Sequence, residues 1–413
     1  MISEQPTEAY VWVWLPSASE PVVAGRLEAV GDILNFNYGR GYLGRDDAIA
    51  LYAPELPLRR GVLPPPPGAR VAGCIADSGP DAWGRRVILR RRNATEDTTD
   101  AGVLTFLLES DSDRIGALDF QASAEEYRGR GGASASLEEL AQAAQRLEDG
   151  VPFSPALDQA LLHGSSVGGA RPKALLDDGW RKLIAKFSST TDQYPVVKGE
   201  FAAMELARRA GLQAAPVQLR RALGKDVLLV ERFDRPPGTG HRRAMVSAST
   251  ILQLGETPWR GASYADLAEG IRHNFTDAGG TLRELFARIT FNILVGNTDD
   301  HARNHAAFWD GRQLSLTPAY DICPQPRAGG EANQAMEIGA DGFRRSRLDG
   351  CVDAAETYLL SSTEAREIID RQVDAIRANW EEVSELARMT VEDRNYFWGR
   401  QLLNPYAFEG YDN

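Results

Sequence analysis

"NILVGNTDDHARNHAAFWDGRQLSLTPAYDICP", residues 292–324, places many short polar side chains between two apolar runs. Its first part holds the adjacent Asp299 and Asp300, two histidines and Asn304, and Asp321 follows after a turn. Three interpretations compete for such a stretch: a zinc site, a magnesium and phosphate site, or a loop whose side chains cap its own helices. The rest of the chain distinguishes among them.

The zinc interpretation depends on two histidines. His301 and His305 are four residues apart, which on a helix would place both rings on one face, as in zinc hydrolases. The H-E-x-x-H pattern also requires a glutamate as general base, and Ala302 stands at that position. Two histidines at this spacing often occur by chance, so the zinc interpretation is disfavoured.

The magnesium interpretation depends on the order of Asp299 and Asn304. A carboxylate that accepts a hydroxyl proton, followed shortly by an amide that binds Mg²⁺, is what phosphoryl transfer needs from a catalytic loop. The pair Asp310-Gly311 is typical of a hairpin turn, so we expect Asp321 to return beside Asn304 as a second, anionic ligand. Asp and Asn are also common turn and capping residues, so this stretch alone leaves the capping interpretation open.

Two upstream segments could bind phosphates. The Gly-rich stretch "GSSVGGARPK" (164–173) precedes apparent strands, and its backbone N–H groups could hold phosphate oxygens, although it is not the Walker pattern. Lys186 follows in the apolar "LIAKF". Such a lysine either extends from the edge of the sheet to solvent or neutralises an anion.

Two further segments complete an order typical of kinases. The helix-like "KGEFAAMELARRAGL" (198–212) carries Glu200 and Glu205, either of which could orient Lys186. The apolar strand in "LLVERFDR" (228–235) leads to residues whose backbone could contact an adenine edge. The segments follow one another in the order found in kinases: a Gly-rich loop, a lysine, a helix with glutamates, a hinge, an Asp with an Asn, a hairpin and a final Asp. Chance rarely produces this whole order.

The composition limits the other classes. The chain has 413 residues, 43% of them hydrophobic, enough for two or three packed domains. Its net charge of -12 makes a broad nucleic-acid-binding face a poor expectation. Three widely spaced cysteines match no metal pattern and fit a reducing compartment. No signal peptide or membrane-length apolar run is visible, so we predict a cytoplasmic protein with no membrane association.

The N-terminal third predicts a β-rich region and a helix. Residues 10–51 alternate in strand fashion between Gly and Pro breaks. Residues 77–93 read as a short helix with five arginines, either a partner-binding patch or a solvated face around Trp83, Val87 and Leu89; the solvated face is favoured. The Gly- and Ser-rich 127–136 is the best linker candidate.

At these residues the sequence resembles the HipA-like serine/threonine kinases, the toxins of bacterial type II toxin-antitoxin modules. The likeness spans most of the chain and is most specific in "IAKF", "VERFDR", "NTDDHARN" and "AYDI". It implies an α+β, protein-kinase-like two-lobed fold. An N-terminal β-rich subdomain would occupy 1–130, the kinase N-lobe 131–232, and a mostly helical C-lobe 233–413.

The resemblance also implies roles for individual residues. Asp299 would accept the proton, while Asn304 and Asp321 would hold Mg²⁺. Ser166 would be autophosphorylated, and the adjacent Ser165 leaves that choice open. Nucleotide contacts would come from the phosphate loop, the lysine, the hinge and the catalytic region: Gly168, Gly169, Ala170, Arg171, Pro172, Lys173, Lys186, Glu231, Arg232, Phe233, His301, Asn304, Tyr320 and Asp321.

This sequence departs from the family pattern in one place. Relatives commonly have a glutamine in this loop, whereas "GGARPK" has Arg171 and Pro172 at the corresponding place, a change in the loop's composition. Glu200 fits the family's pattern better than Glu205 as the partner of Lys186, but both stay open.

The function implied by the resemblance is ATP-dependent phosphorylation of a protein serine or threonine. The family precedent for the target is an aminoacyl-tRNA synthetase, whose modification arrests growth. A small helix-turn-helix antitoxin of the HipB type would be the partner and would carry the DNA contacts, consistent with this chain's acidity. Two alternatives remain: a kinase for a small molecule, and a scaffold that binds an antitoxin with little or no catalysis.

Overall fold

The alternating residues near the N-terminus form strands, as their pattern predicts. In the computed structural model, which describes residues 6–92, 101–131, 135–149, 169, 171–189, 191–255, 261–327 and 329–411, these strands are β1 (Glu8–Val13), β2 (Val22–Val30) and β3 (Ile33–Tyr38). With β4 (Leu118–Gln121) they form an antiparallel sheet in the order β3-β2-β1-β4. The strand pattern was expected to reach residue 51, but it ends at Tyr38 because glycines interrupt it, and a short helix, Arg40–Leu43, follows.

The chain divides into two compact units. Unit 1 comprises Met1–Thr190, Arg221–Val246 and Phe308–Arg312, and unit 2 comprises Thr191–Arg220, Ser247–Ala307 and Gln313–Asn413. The boundary predicted at residue 130 therefore lies inside unit 1. The three-part division 1–130, 131–232 and 233–413 remains a prediction of sequence regions rather than a description of these units.

A second sheet holds the strands predicted from Lys173 to Glu231. Its members are β5 (Lys173–Asp177), β6 (Lys182–Phe187), β7 (Val217–Ala222) and β8 (Lys225–Glu231), in the order β5-β6-β8-β7. The stretch "QLRRALGKDVLLVERFDR" (218–235) predicts two strands that turn at Gly224-Lys225. The hairpin between β7 and β8 turns one residue earlier, at Leu223-Gly224, and both residues have positive φ, as primed turns require.

One face of this sheet packs into the core of unit 1. Alternate side chains of β5, β6 and β8 pack with the helix Leu137–Glu148. Its sequence, "LEELAQAAQRLE", is helix-like at these bounds, and the helix begins with a Ser136 capping box. Trp83, wholly buried, joins the same core and donates its Nε1 to the Lys173 carbonyl at 3.0 Å.

The arginine-rich helix is Ala82–Arg91. Trp83, Val87 and Leu89 are buried, while its arginines are exposed, so the prediction of a solvated basic face is confirmed. Among the described residues of unit 1, the remaining helices are Gly73–Ala76 and Val103–Glu109.

A buried network of charges, here called the charge network, connects the stretch before β4 to the stretch after β8. Its members are Asp113, Arg114, Arg232, Asp234 and Arg235. Arg232 donates to Asp113 at 3.0 Å, to Asp234 at 2.8 Å and to the Arg114 carbonyl at 2.6 Å. Burial raises the pKa of Asp234, but Arg232 and Arg235 outweigh burial and hold it below its ordinary value. The network fixes the residues after β8 to the N-terminal region within unit 1.

Unit 2 is mostly helical, as predicted. The buried helix Ala278–Val295 ends at Gly296, whose φ of 72° is left-handed and whose added Cβ would lie 2.7 Å from the Gln401 carbonyl oxygen. Glycine is therefore needed where this helix turns into the stretch with the Asp doublet. The other α-helices are Val196–Arg209, Ala248–Ile251, Tyr264–Asn274, Leu348–Asp353, Ser362–Leu386 and Val391–Phe397, and 3₁₀ helices occupy Ala302–Asn304, Ala355–Tyr358 and Pro405–Phe408. Within the part of the chain that is described, no helix is long and apolar enough to cross a membrane.

The hairpin predicted at Asp310-Gly311 forms. Its strands are β10 (Ala306–Trp309) and β11 (Leu314–Leu316), in a three-stranded sheet of order β11-β10-β9 with β9 (Met245–Ser247). After the hairpin, the Thr317 backbone N–H donates to the Ala306 carbonyl at 3.0 Å. The chain thus returns to the residues that precede β10.

Candidate functional site

Part of the predicted phosphate loop is described. Gly168, Ala170, Ser165 and Ser166 lie outside the described residues. Gly169 has a φ of 109°, a backbone conformation that side-chain-bearing residues rarely adopt, so this position requires glycine, and Lys173 Nζ lies beside it. Arg171 is half-buried, and the Pro172 carbonyl accepts from the Phe187 N–H at 3.0 Å, which continues the pairing of β5 with β6.

Two lysines lie directly opposite each other on this sheet. Lys173 on β5 pairs with Lys186 on β6, and directly opposite residues of an antiparallel pair project on the same face. Lys173 is only 4% exposed. Like charges directly opposite each other destabilise a sheet, so this arrangement requires negative charge nearby. Phosphate groups are one source of such charge.

Beside the two lysines this face of the sheet is apolar, and at its far end Asp177 pairs with Lys182. The register places Ile184 and Val230 beside each other on it, and Leu228 opposite Lys186. The face opposite this one packs against the helix Leu137–Glu148. A nucleotide needs apolar contacts for its base and cations for its phosphates, and this face carries both.

The predicted hinge residues use their side chains elsewhere. Glu231 pairs with Arg181 at 3.3 Å, and Phe233 packs edge-on against Phe308 with ring centroids 5.8 Å apart. Arg232 is buried in the charge network, and its N–H donates to the Lys182 carbonyl at 2.9 Å. Contact of this segment with adenine therefore remains a prediction, and for Arg232 it is limited to the carbonyl oxygen.

In unit 2, the stretch with the Asp doublet closes on itself. Asn304 Nδ2 donates to the Asp299 carbonyl oxygen at 3.2 Å, and the Asn304 N–H donates to the His301 carbonyl at 2.8 Å. We call residues 297–305 the catalytic loop. Because the amide nitrogen of Asn304 points to the loop, its Oδ1 is the atom that a cation would bind.

The Asp321 carboxylate lies close enough to Asp299 to affect its ionisation. Burial raises the pKa of Asp299 above its ordinary value, and the charges of Asp321 and Asp300 raise it further, against the opposing effect of His301. A raised pKa makes Asp299 a stronger base than an ordinary carboxylate. The expectation that the hairpin returns Asp321 to this loop agrees with this proximity.

The segment that carries Asp321 is attached to the catalytic loop. Tyr320 Oη donates to the Arg303 carbonyl at 2.6 Å. Asp321 itself adopts a left-handed conformation with a φ of 60°. Non-glycine residues in this region are uncommon and cluster at functional sites.

Asp300 is a residue that the sequence interpretation missed. Its side chain is buried, and its Oδ2 accepts hydrogen bonds from Tyr264 Oη at 2.5 Å, Asn292 Nδ2 at 2.8 Å and His305 Nε2 at 2.9 Å. Burial raises the pKa of Asp300, but the neighbouring His305 and the hydrogen bonds of His305 and Tyr264 outweigh burial and hold it below its ordinary value. The doublet "DD" was the only sequence signal, and it does not reveal which Asp points inward.

The histidines do not share a face of an α-helix. His301 and His305 flank the 3₁₀ helix Ala302–Asn304, and the His305 ring is hydrogen-bonded to Asp300. Among the described residues, no group of three or more His, Cys, Asp or Glu is arranged to hold a metal ion. Magnesium needs no such group, because it keeps several waters and phosphate oxygens beside one or two carboxylates. The amide oxygen of Asn304 and the carboxylate of Asp321 are hard oxygen donors that suit it.

The two glutamates that could partner Lys186 differ in their surroundings. Glu205 forms ion pairs with Arg208 at 3.2 Å and Arg209 at 3.4 Å on its own helix. Glu200 on the same helix is 4% exposed. Which of them would orient Lys186 remains a prediction.

Comparisons with known proteins agree with these features. Residues 13–121 match the HipA N-terminal domain, and residues 165–380, more than half of the chain, match the HipA-like C-terminal domain. A putative kinase of Sinorhizobium fredii, Y4mE, is 30% identical over 200 residues, covering 43% of this chain and 46% of that protein. The serine/threonine-protein kinase toxin HipA of Shewanella oneidensis is 28% identical over 183 residues, covering 38% of this chain and 42% of that protein. The chain thus spans less than half the length of these relatives.

A solved structure resembles almost the whole chain. It is Shewanella oneidensis HipA in a complex with HipB and operator DNA, with a TM-score of 0.67 and 17% identity over 94% of this chain and 95% of that one. At this identity the likeness concerns the fold. The predicted α+β kinase-like fold with an N-terminal β-sheet region is confirmed.

Proposed function

The chain belongs to the HipA family, and from this premise we propose that it is an ATP-dependent serine/threonine protein kinase. The observation that carries the proposal is the catalytic loop. Asn304 is bonded to the Asp299 backbone, and the Asp321 charge lies close enough to raise the pKa of Asp299. The proposal assigns the proton acceptor and the two magnesium ligands to these neighbouring residues, as phosphoryl transfer requires.

The cations of unit 1 would bind the phosphates of ATP. Lys186 and Lys173 share one face of the sheet, and Gly169 leaves room for the ammonium of Lys173. Each charge-assisted bond to a phosphate oxygen holds the transferring group in place. The Gly168–Lys173 loop would add backbone N–H donors.

The chemistry proceeds by transfer of one proton and one phosphoryl group. The oxygen of a serine or threonine hydroxyl forms a bond to the γ-phosphorus of ATP. As this bond forms, the Asp299 carboxylate accepts the proton of that hydroxyl. The bond from the γ-phosphorus to the bridging oxygen breaks, and ADP leaves with that electron pair. Magnesium at Asn304 and Asp321 would neutralise the phosphate charge.

Target, partner and self-modification follow family precedent. We propose that the target is a translation component such as an aminoacyl-tRNA synthetase, and that Ser166 is autophosphorylated. The solved relative was crystallised with HipB and operator DNA. A HipB-like helix-turn-helix antitoxin would likewise bind this chain and bring it to DNA indirectly, because a net charge of -12 disfavours direct contact with phosphates.

The test compares Asp299→Asn with the wild type. The variant should bind ATP with unchanged affinity but transfer phosphate roughly 10²–10⁴-fold more slowly, the usual contribution of a general base. Asp277→Asn is the matched control, because it removes an exposed carboxylate from a helix N-cap that asparagine serves equally well. Transfer by Asp299→Asn at the wild-type rate would exclude this residue as the base, and a wild type that binds ATP without turnover would favour the scaffold alternative.

A further inference from the structure

Asp300 joins three separate segments of unit 2. One carboxylate oxygen accepts from Tyr264 at the start of the helix Tyr264–Asn274, from Asn292 near the end of the helix Ala278–Val295, and from His305 just before β10. The Tyr264 hydroxyl also lies 3.2 Å from the Asp300 carbonyl oxygen. The position of residue 300 is therefore fixed by both its side chain and its backbone.

The cluster requires a charged carboxylate and the three donors that face it. A buried carboxylate is stable only when hydrogen bonds replace its water. Burial raises the pKa of Tyr264 well above its ordinary value, so its hydroxyl stays protonated and donates. Asn297 supports the cluster from outside, since its Nδ2 donates to Asn292 Oδ1 at 2.9 Å. Rotation of any one donor would leave a buried group without its hydrogen bond.

The peptide bond between Asp299 and Asp300 joins this cluster to the catalytic residues. Its carbonyl oxygen, which belongs to Asp299, accepts from Asn304 Nδ2 at 3.2 Å. Its other side is the backbone of Asp300, which the cluster holds. The same peptide unit therefore determines where the Asp299 side chain begins and where the Asn304 amide points.

We propose that Asp300 is a positioning residue for phosphoryl transfer, one that fixes the peptide carrying the base and the metal-binding amide without touching either substrate. The inference rests on the proposed kinase function and adds a second carboxylate to it. Asp300 is 3% exposed and its Oδ2 accepts from three donors, so it would act through its neighbours. Precise placement matters because a displacement of about 1 Å can lower a rate roughly 10²-fold.

The test separates kcat from KM in two variants of the full chain. Tyr264→Phe keeps the buried ring but removes one donor, and Asp300→Asn removes the charge that all three donors face. We expect kcat to fall several-fold in Tyr264→Phe and roughly 10²-fold in Asp300→Asn, with the KM for Mg·ATP within about twofold of the wild type. If both act through the same peptide, the double variant should be no slower than Asp300→Asn alone.

Asp370→Asn is the matched control. Asp370 accepts from the Tyr411 hydroxyl at 2.8 Å in the same unit, so the change also removes a charged acceptor from a tyrosine without involving the catalytic loop. It should leave kcat unchanged. Turnover is followed as ADP release with myelin basic protein as phosphate acceptor, well below the unfolding midpoint and corrected for the folded fraction measured by circular dichroism.

The outcomes are distinguishable. Wild-type kcat in folded Tyr264→Phe and in folded Asp300→Asn overturns the inference alone, because the kinase would then be active without the cluster. A raised KM with unchanged kcat, or a kcat loss in Asp370→Asn of the same size, also overturns it. A wild type without Mg·ATP turnover overturns the proposed function and this inference with it. If Asp300→Asn does not fold, Tyr264→Phe decides, since its ring packing is retained.

Discussion

Removal of the charge at Asp234 should destabilise unit 1 far more than the loss of an exposed carboxylate would. Both carboxylate oxygens are occupied: Oδ1 accepts from Arg232 Nε at 3.0 Å, and Oδ2 accepts from Arg232 Nη2, Arg235 Nη1 and the Gly116 N–H, each at 2.8 Å. Asp234→Asn leaves two buried guanidinium groups with Asp113 as their remaining carboxylate partner among the described residues.

The expected loss follows from the burial of these groups. Breaking a buried ion pair by removing one partner costs about 3–5 kcal/mol, because an uncompensated charge stays buried. For a unit of about 150–250 residues, each kcal/mol lowers the midpoint by about 2–4 °C, so we expect a decrease of roughly 6–20 °C. Thermal unfolding followed by circular dichroism measures it. Glu126→Gln is the control, since its pair with Arg128 is exposed and such pairs contribute about 1 kcal/mol or less.

The pH dependence gives a second readout. In the folded protein, burial raises the pKa of Asp234 and of Asp113, but Arg232 and Arg235 lower both values by more. Both carboxyl groups therefore have a lower pKa in the folded protein than in the unfolded chain. A carboxyl with a lowered folded pKa stabilises the protein above its unfolded pKa of about 3.9, and this stabilisation is lost as pH falls below that value. When the pH is lowered from about 5 to below about 3.9, the free energy of unfolding should therefore decrease more in the wild type than in Asp234→Asn. A variant whose midpoint lies within 2 °C of the wild type at pH 7 would refute this account of the network.

Three further predictions concern the candidate site. Asp321→Ala should lower the rate of phosphate transfer by roughly 10²-fold or more, because a bound metal contributes several kcal/mol. In a magnesium titration, the affinity of the variant for ATP should increase less than that of the wild type. Activity supported by zinc without magnesium would contradict this prediction. Lys173→Met and Lys186→Met should each weaken ATP binding, measured by calorimetry, roughly 10–100-fold, as expected for a lost charge-assisted bond of about 1.5–3 kcal/mol. The control is Lys182→Met, which breaks an exposed ion pair with Asp177 and should leave ATP binding unchanged. Incubation with Mg·ATP should add phosphate at Ser166 and reduce ATP affinity, because the new charge competes with the γ-phosphate; mass spectrometry that finds phosphate only outside 164–173 would contradict it.

The sequence predicted the elements that have strong local signals. The helix-like "LEELAQAAQRLE" (137–148) and the apolar spacing from Leu282 to Ile293 predicted the helices Leu137–Glu148 and Ala278–Val295, and the Asp310-Gly311 pair predicted the hairpin. It placed the turn between β7 and β8 one residue late, because Leu223 adopts a positive φ that its side chain disfavours and that no local rule predicts. Pairing across strands was also beyond the sequence, so the opposition of Lys173 and Lys186 could not be foreseen.

The string "VERFDR" was interpreted as a hinge for adenine, but its side chains stabilise the fold. Arg232, Asp234 and Arg235 are all in the charge network, and their partners Asp113 and Arg114 lie more than a hundred residues earlier. A network of this kind depends on contacts that are distant in sequence, so the residues that identify the family in the sequence gave no sign of their partners. The residue types of this motif are needed because they form buried ion pairs that compensate one another's charge. This holds independently of any contact between its backbone and a nucleotide.

Two departures from local rules lie among the predicted site residues. Two lysines face each other across β5 and β6, although such pairs destabilise a sheet. Asp321 has a positive φ outside any hairpin turn or helix end, unlike Leu223 or Leu359. Sequences are locally consistent with their folds except where function opposes stability. Negative phosphates would relieve the lysine pair, and a cation would bind the carboxylate that the strained backbone presents. Both departures from the local rules therefore favour ligands of the same kind, a nucleotide with its magnesium.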